Sequence, residues 1–103
     1  MSNTEKDQQF LTMADQFIDL ANSMGPDIDR GKISAAFLYA AARFNTFIVA
    51  ASASSKEDFR SYQDKAKQYF LDEYKKMLDE HCSDYEQHFE SYKLTDLKNQ
   101  TIN

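Results

Sequence analysis

Three side chains near the carboxyl end of the sequence are of types that could bind a metal ion. His81, Asp84 and His88 lie in the segment EHCSDYEQH, and on a helix their three- and four-residue steps place them on one side. Imidazole and carboxylate groups are a reasonable ligand set for zinc or iron. The spacing matches neither the four-residue histidine pair of zinc proteases nor the glutamate-rich pairs of di-iron bundles. The same positions also suit the edge of a packed aromatic surface, so both interpretations stay open.

A second polar group lies within the apolar segment SAAFLYAAARFNTFIVAASAS, residues 34–54. Tyr39 and Arg43 are four residues apart and can touch on a helix, and Asn45 follows closely. The guanidinium could meet a carboxylate of a neighbouring helix and fix the helix register, or it could bind an anionic ligand. The structural role is favoured, because no phosphate-binding loop, Ser-His-Asp order or pair of facing carboxylates accompanies these residues.

No residue is predicted to be catalytic, and no cofactor is expected. Cys82 is the single cysteine, so it cannot form an internal disulfide, and its neighbour His81 is the one base that the sequence places beside it. The first ten residues, MSNTEKDQQF, lack the basic and apolar regions of a secretory signal. We therefore expect a non-enzymatic protein of the cytoplasm.

The charge balance argues against nucleic acid as a partner. Twelve basic and seventeen acidic side chains give a net charge of -5, and no segment forms a basic patch. Because nucleic-acid binding depends on Lys and Arg side chains that neutralise phosphates, an evenly acidic chain is a poor candidate for it.

The distribution of helix breakers predicts an all-α protein. The 103 residues include two glycines and one proline, and Gly25, Pro26 and Gly31 lie close together. A β-protein needs a turn about every 8 to 12 residues, which the two long segments on either side cannot supply. We expect a single domain over residues 1–103, folded as a three-helix antiparallel bundle.

The three predicted helices differ in their apolar surface. Helix 1, about 4–24, has one apolar stripe with its polar residues toward water, and helix 2, about 31–54, is apolar on two opposite faces. Helix 3, about 56–92, would measure about 55 Å and outreach its neighbours. It therefore either bends near residues 81–84 or packs on another subunit. A loose tail is expected over 94–103.

Capping residues mark the predicted boundaries. Gly25 can adopt the left-handed conformation that closes helix 1. Either Asp27 or Asp29 can cap helix 2. The spacing of a capping box occurs twice before helix 3, at Ser54 with Glu57 and at Ser55 with Asp58.

Helix 2 needs to be covered on both sides. A membrane span is disfavoured, because Arg43 near its middle costs about 2.5 to 3.5 kcal/mol in lipid and the many alanines contribute little in return. We expect the helix to lie in the middle of the fold or at the interface of a homodimer or higher homo-oligomer. The predicted interface residues are Leu38, Val49, Tyr85, Phe89 and Tyr92.

These faces make a helical interaction or self-association module the leading functional hypothesis. The competing hypothesis is a small metal-binding or anion-binding protein, or an enzyme, that uses His81, Asp84, His88 and Arg43. Binding of a partner peptide would use the same apolar faces, so the sequence does not separate it from self-association.

The chain also resembles a known family. The segment ISAAFLYAAARFNTFIVAAS, preceded by FIDLANSM and followed by a long acidic helix that ends near YEQHFESY, is similar to a small all-helical family known mainly from proteobacteria and defined as a domain of unknown function. The resemblance covers about residues 10–92. It implies a short bacterial cytoplasmic protein, and it supplies no catalytic or binding residue.

Overall fold

The protein is all-helical in the computed structural model, which describes residues 6–92. Three main helices occur in this part of the chain, α1 (Gln8–Ser23), α2 (Arg30–Ala51) and α3 (Lys56–Gln87), and a single turn, α4 (Phe89–Tyr92), follows them. The prediction of an all-α fold with a long third helix is confirmed. The tail predicted over 94–103 lies outside the described residues.

Aspartate side chains cap the first two helices. Oδ1 of Asp7 accepts a hydrogen bond from the Phe10 N–H at 2.8 Å, and α1 therefore begins about one turn later than predicted. Oδ2 of Asp29 accepts a hydrogen bond from the Lys32 N–H at 3.1 Å, so Asp29 rather than Asp27 caps α2. In both places a carboxylate satisfies a free N–H of the first turn and lies at the positive end of the helix dipole.

The end of α1 does not use the left-handed glycine that the sequence predicts. Neither glycine of the chain has a positive φ. Instead the backbone tightens, because the Met24 N–H donates to the Ala21 carbonyl at 3.2 Å. The next N–H, that of Gly25, also bonds to the carbonyl three residues before it, at 3.2 Å. Pro26 follows and lacks the N–H that another helical turn needs.

A serine-rich junction joins α2 to α3. α2 ends three residues before its predicted boundary, and the N-cap of α3 is Ser55, the serine of one of the two predicted capping boxes. Oγ of Ser55 accepts a hydrogen bond from the Asp58 N–H at 3.1 Å. The Asp58 carboxylate in turn accepts hydrogen bonds from the N–H and the hydroxyl of Ser54. The Asp58 carboxylate thus bonds to Ser54 rather than to the N–H of the capping residue Ser55, and both sets of bonds stabilise the start of α3.

α3 is continuous through residues 81–84, where the sequence allows a bend. Low helix propensity at these positions costs only about 0.5 kcal/mol per residue, which is less than the loss of the backbone hydrogen bonds of a helical turn. The interruption comes at His88, where φ is -113° and ψ is 29°. α4 resumes at the next residue.

The chain divides into two compact units within α2. One unit contains α1 and α2 up to Tyr39, and the other contains α2 from Ala40 together with α3 and α4. Each unit therefore contains one part of α2 and one of its sequence neighbours.

Residues 6–92 include no buried side chain. Twenty large hydrophobic residues in this range are between 39% and 66% exposed. In a soluble domain Phe, Leu, Ile and Met are among the residues most often buried, and burying one fully is worth about 1.5 to 3 kcal/mol. Within residues 6–92 the single chain thus leaves about half of the surface of these twenty residues open.

Candidate functional site

The apolar residues of α1 form an exposed stripe. The half-buried residues of α1 are Ile18, Ala21 and Asn22, centred roughly 110° around the helix from the stripe. We call the exposed set the α1 stripe; it comprises Phe10, Met13, Phe17 and Leu20 of α1 together with Met24, the residue that caps its end, and these are 39% to 58% exposed.

A shallow groove of about 220 Å³ lies between α2 and α3 in the second compact unit. Val49, a predicted interface residue, is half-buried and lines this groove. The residues of α3 that line the groove recur at steps of four and three, so they lie on one side of that helix. The groove is lined by Thr46, Val49, Phe59, Gln63, Ala66, Lys67 and Phe70.

The side of α2 away from this groove is open. Phe44, Phe47 and Ile48 are 62%, 60% and 52% exposed, and the two phenylalanine rings have centroids 6.2 Å apart. Leu38, predicted for an interface, lies on the same face of α2 as Val49, about 20° from it around the helix, and is 54% exposed. By length and composition alone α2 could also cross a membrane, and none of its residues is buried.

Asp84 ties the end of α3 to α4. Its Oδ2 accepts a hydrogen bond from the Tyr92 hydroxyl at 2.6 Å, and its Oδ1 lies 3.1 Å from Nδ1 of His88. The Tyr92 ring stacks on that of Tyr85, with centroids 4.4 Å apart. The hydrogen bond from Tyr92 lowers the pKa of the Asp84 carboxyl and raises the pKa of the Tyr92 hydroxyl, because it favours the charged acid and the neutral phenol.

This geometry places two of the three predicted metal ligands in contact. Asp84 and His88 touch, and the charge of His81 also lowers the pKa of Asp84. Within residues 6–92, however, no group of three or more His, Cys, Asp or Glu side chains is placed to hold a metal ion. The metal hypothesis gains no support from the arrangement and stays a prediction.

The predicted ligand-binding residues of α2 do not converge. Arg43 and Asn45 are about 200° apart around the helix and so lie on opposite sides. Asn45 is half-buried, whereas Tyr39 is 66% exposed. Anion binding stays a prediction, and only Tyr39 and Arg43 are neighbours that could share it.

The remaining predicted interface residues cluster at the end of the described chain. Tyr85 is half-buried, and Phe89 and Tyr92 are 48% and 41% exposed. The α1 stripe is not among the contact residues predicted from the sequence, although its alternating steps of three and four residues are visible there.

Comparisons with known proteins give a family and a related structure. A family described as "Protein of unknown function (DUF3144)" matches residues 10–86. The NMR structure of the protein NB7890A from Shewanella sp. is similar to this chain, with 34% sequence identity and a TM-score of 0.70; the match covers 91% of this chain and 98% of that one. A search of curated proteins found no match.

Proposed function

The chain belongs to the DUF3144 family of proteins of unknown function, and from this premise we propose that it is a non-enzymatic helical module that associates with copies of itself. One observation carries the proposal. No residue within 6–92 is buried, and twenty residues of this range are large hydrophobic side chains that are at least 39% exposed. Association between copies would cover this surface.

The exposed face of α2 gives an estimate of the hydrophobic free energy that association could provide. At about 200 Å² for a large side chain, Phe44, Phe47 and Ile48 together leave roughly 350 Å² exposed. At about 25 cal/mol per Å², covering this face alone is worth roughly 9 kcal/mol before the cost of association. That amount is comparable with the whole folding free energy of a small domain, about 5 to 15 kcal/mol.

The groove between α2 and α3 supports packing more than ligand binding. Its volume of about 220 Å³ is below the range of about 300 to 1,000 Å³ usual for small-molecule pockets. Apolar side chains such as Val49, Phe59 and Phe70 form much of its lining. A short apolar groove of this kind favours contacts between helices.

The main alternative to self-association is insertion of α2 into a membrane. Arg43 near the middle of the helix opposes insertion, and the net charge of -5 opposes adsorption to an anionic bilayer. Self-association can use exposed apolar residues on any of the three main helices, whereas insertion of α2 covers only its own.

Thermal unfolding at several protein concentrations tests the proposal. If folding and association are linked, a hundredfold increase in concentration adds about 2.7 kcal/mol to the stability of the associated state. We expect the unfolding midpoint, followed by circular dichroism, to rise by roughly 5 to 10 °C. An unfolding midpoint that is independent of protein concentration would contradict self-association.

Flotation with neutral and anionic vesicles is the parallel control. Recovery of the protein with the vesicles would favour membrane binding over self-association.

A further inference from the structure

The α1 stripe has the geometry of a pairing surface. From Phe10 to Met24 its residues follow steps of three, four, three and four, which are the a and d positions of a heptad repeat. We propose that two copies of this chain pair through α1, with the α1 stripe of each packing against the α1 stripe of the other. This inference rests on the proposed function and specifies its contact surface.

The positions beside the α1 stripe permit identical helices to meet. α1 contains two acidic residues, Asp15 and Asp19, and no Lys or Arg. In the heptad these aspartates occupy the outer f and c positions, away from the seam. The e and g positions, where like charges would repel a second copy, are uncharged throughout α1: Gln9, Ala14, Gln16, Ala21 and Ser23.

The exposed area fits a contact between two small proteins. At about 200 Å² for a large side chain, exposures of 39% to 58% leave roughly 500 Å² on the α1 stripe. The small and amide side chains alongside it bring the face toward the roughly 800 Å² that each partner contributes to a standard interface. An apolar patch of this size is often a contact site.

Other occupants fit the α1 stripe less well. A helix that lies on an anionic bilayer normally carries Lys or Arg on its polar face, and α1 carries none. The half-buried side of α1, at Ile18, Ala21 and Asn22, is a different side of the helix, so the packing of its own unit leaves the stripe open. A second copy presents the same uncharged apolar seam.

A double substitution tests the inference. Phe17→Ala with Leu20→Ala removes two central side chains from each copy and keeps helix propensity high. We expect the dissociation constant of the dimer, measured by sedimentation equilibrium, to rise at least a hundredfold. Leu71→Ala is the control, because Leu71 is the most exposed leucine of α3, at 66%, and lies outside the α1 stripe. It should leave the dissociation constant unchanged.

The outcomes separate this inference from the proposed function. If the wild type associates and the double variant associates equally well, pairing through α1 is wrong and self-association stands. If the wild type does not associate at any concentration, both are wrong.

Nuclear Overhauser measurements test the same inference on the wild-type protein, so the test does not require the double variant to fold. In a mixture of isotopically labelled and unlabelled chains, we expect contacts between ring protons of Phe17 in one copy and the methyl groups of Met13 or Leu20 in the other. An associated sample without contacts from the α1 stripe would overturn the inference.

Discussion

At the scale of single residues, Asp84 lies in a small cluster of polar and aromatic side chains at the end of α3. Its carboxylate contacts His88 and Tyr92, and the Tyr92 ring stacks on Tyr85. The sequence identified Asp84 and His88 as neighbours on one helix face, because four-residue spacing suffices for that. The bond to Tyr92 could not be predicted, since it spans eight residues and depends on where the backbone leaves the helix at His88.

The Asp84–Tyr92 hydrogen bond predicts a pH dependence. The pKa of Asp84 in the folded chain lies below its ordinary 3.8, so the bond's contribution to stability is present at neutral pH and is lost as the pH falls from about 3.8 through the lowered pKa. The pKa of Tyr92 lies above its ordinary 10.0. At alkaline pH the contribution is therefore present below about 10 and is lost as the pH rises through the raised pKa.

Substitution of the phenol tests this account. We expect Tyr92→Phe to return the pKa of the Asp84 carboxyl toward 3.8, as measured by NMR titration of its side-chain carbon. Tyr62→Phe is the matched control, because Tyr62 is a tyrosine of α3 with 40% exposure, against 41% for Tyr92. An Asp84 titration that is the same in Tyr92→Phe as in the wild type would show that another group lowers its pKa.

At the scale of elements, the N-caps of α2 and α3 were predictable, whereas the end of α1 and the covered faces were not. Ser55 with Asp58 and the candidate cap Asp29 could be found from the sequence, since capping is a local interaction over three residues. Periodicity also located the apolar residues of α1. It could not show that Phe17 and Leu20 are exposed in the single chain, because a repeat defines an apolar face without defining the neighbour that covers it.

The start of α3 gives a prediction at this scale. Ser55→Ala removes the oxygen that accepts the Asp58 N–H, and we expect it to reduce the free energy of unfolding by about 1 kcal/mol in urea titrations. Ser61→Ala is the control: its hydroxyl donates to the Asp58 carbonyl within the helix, and alanine has the higher helix propensity. We expect no loss of stability from it. Equal losses in the two variants would be inconsistent with a capping role for Ser55.

At the scale of the whole molecule, the main feature is hydrophobic surface without a buried interior in residues 6–92. The apolar pattern predicts that α2 needs cover on two sides, and Val49 lines the groove between α2 and α3 of its own chain. Leu38 and the α1 stripe are left open. The packing of one apolar helix face on another depends on contacts between residues far apart in sequence or between copies. The spacing of residues within one helix does not contain that information.

The apparent mass of the wild-type protein at sedimentation equilibrium tests self-association most directly. Across protein concentrations of about 1 to 100 µM, a range suited to dimers of ordinary affinity, we expect the mass to rise toward twice the 11.9 kDa of one chain or a higher multiple. A mass of 11.9 kDa at every concentration, in a sample whose circular dichroism remains helical, would contradict self-association.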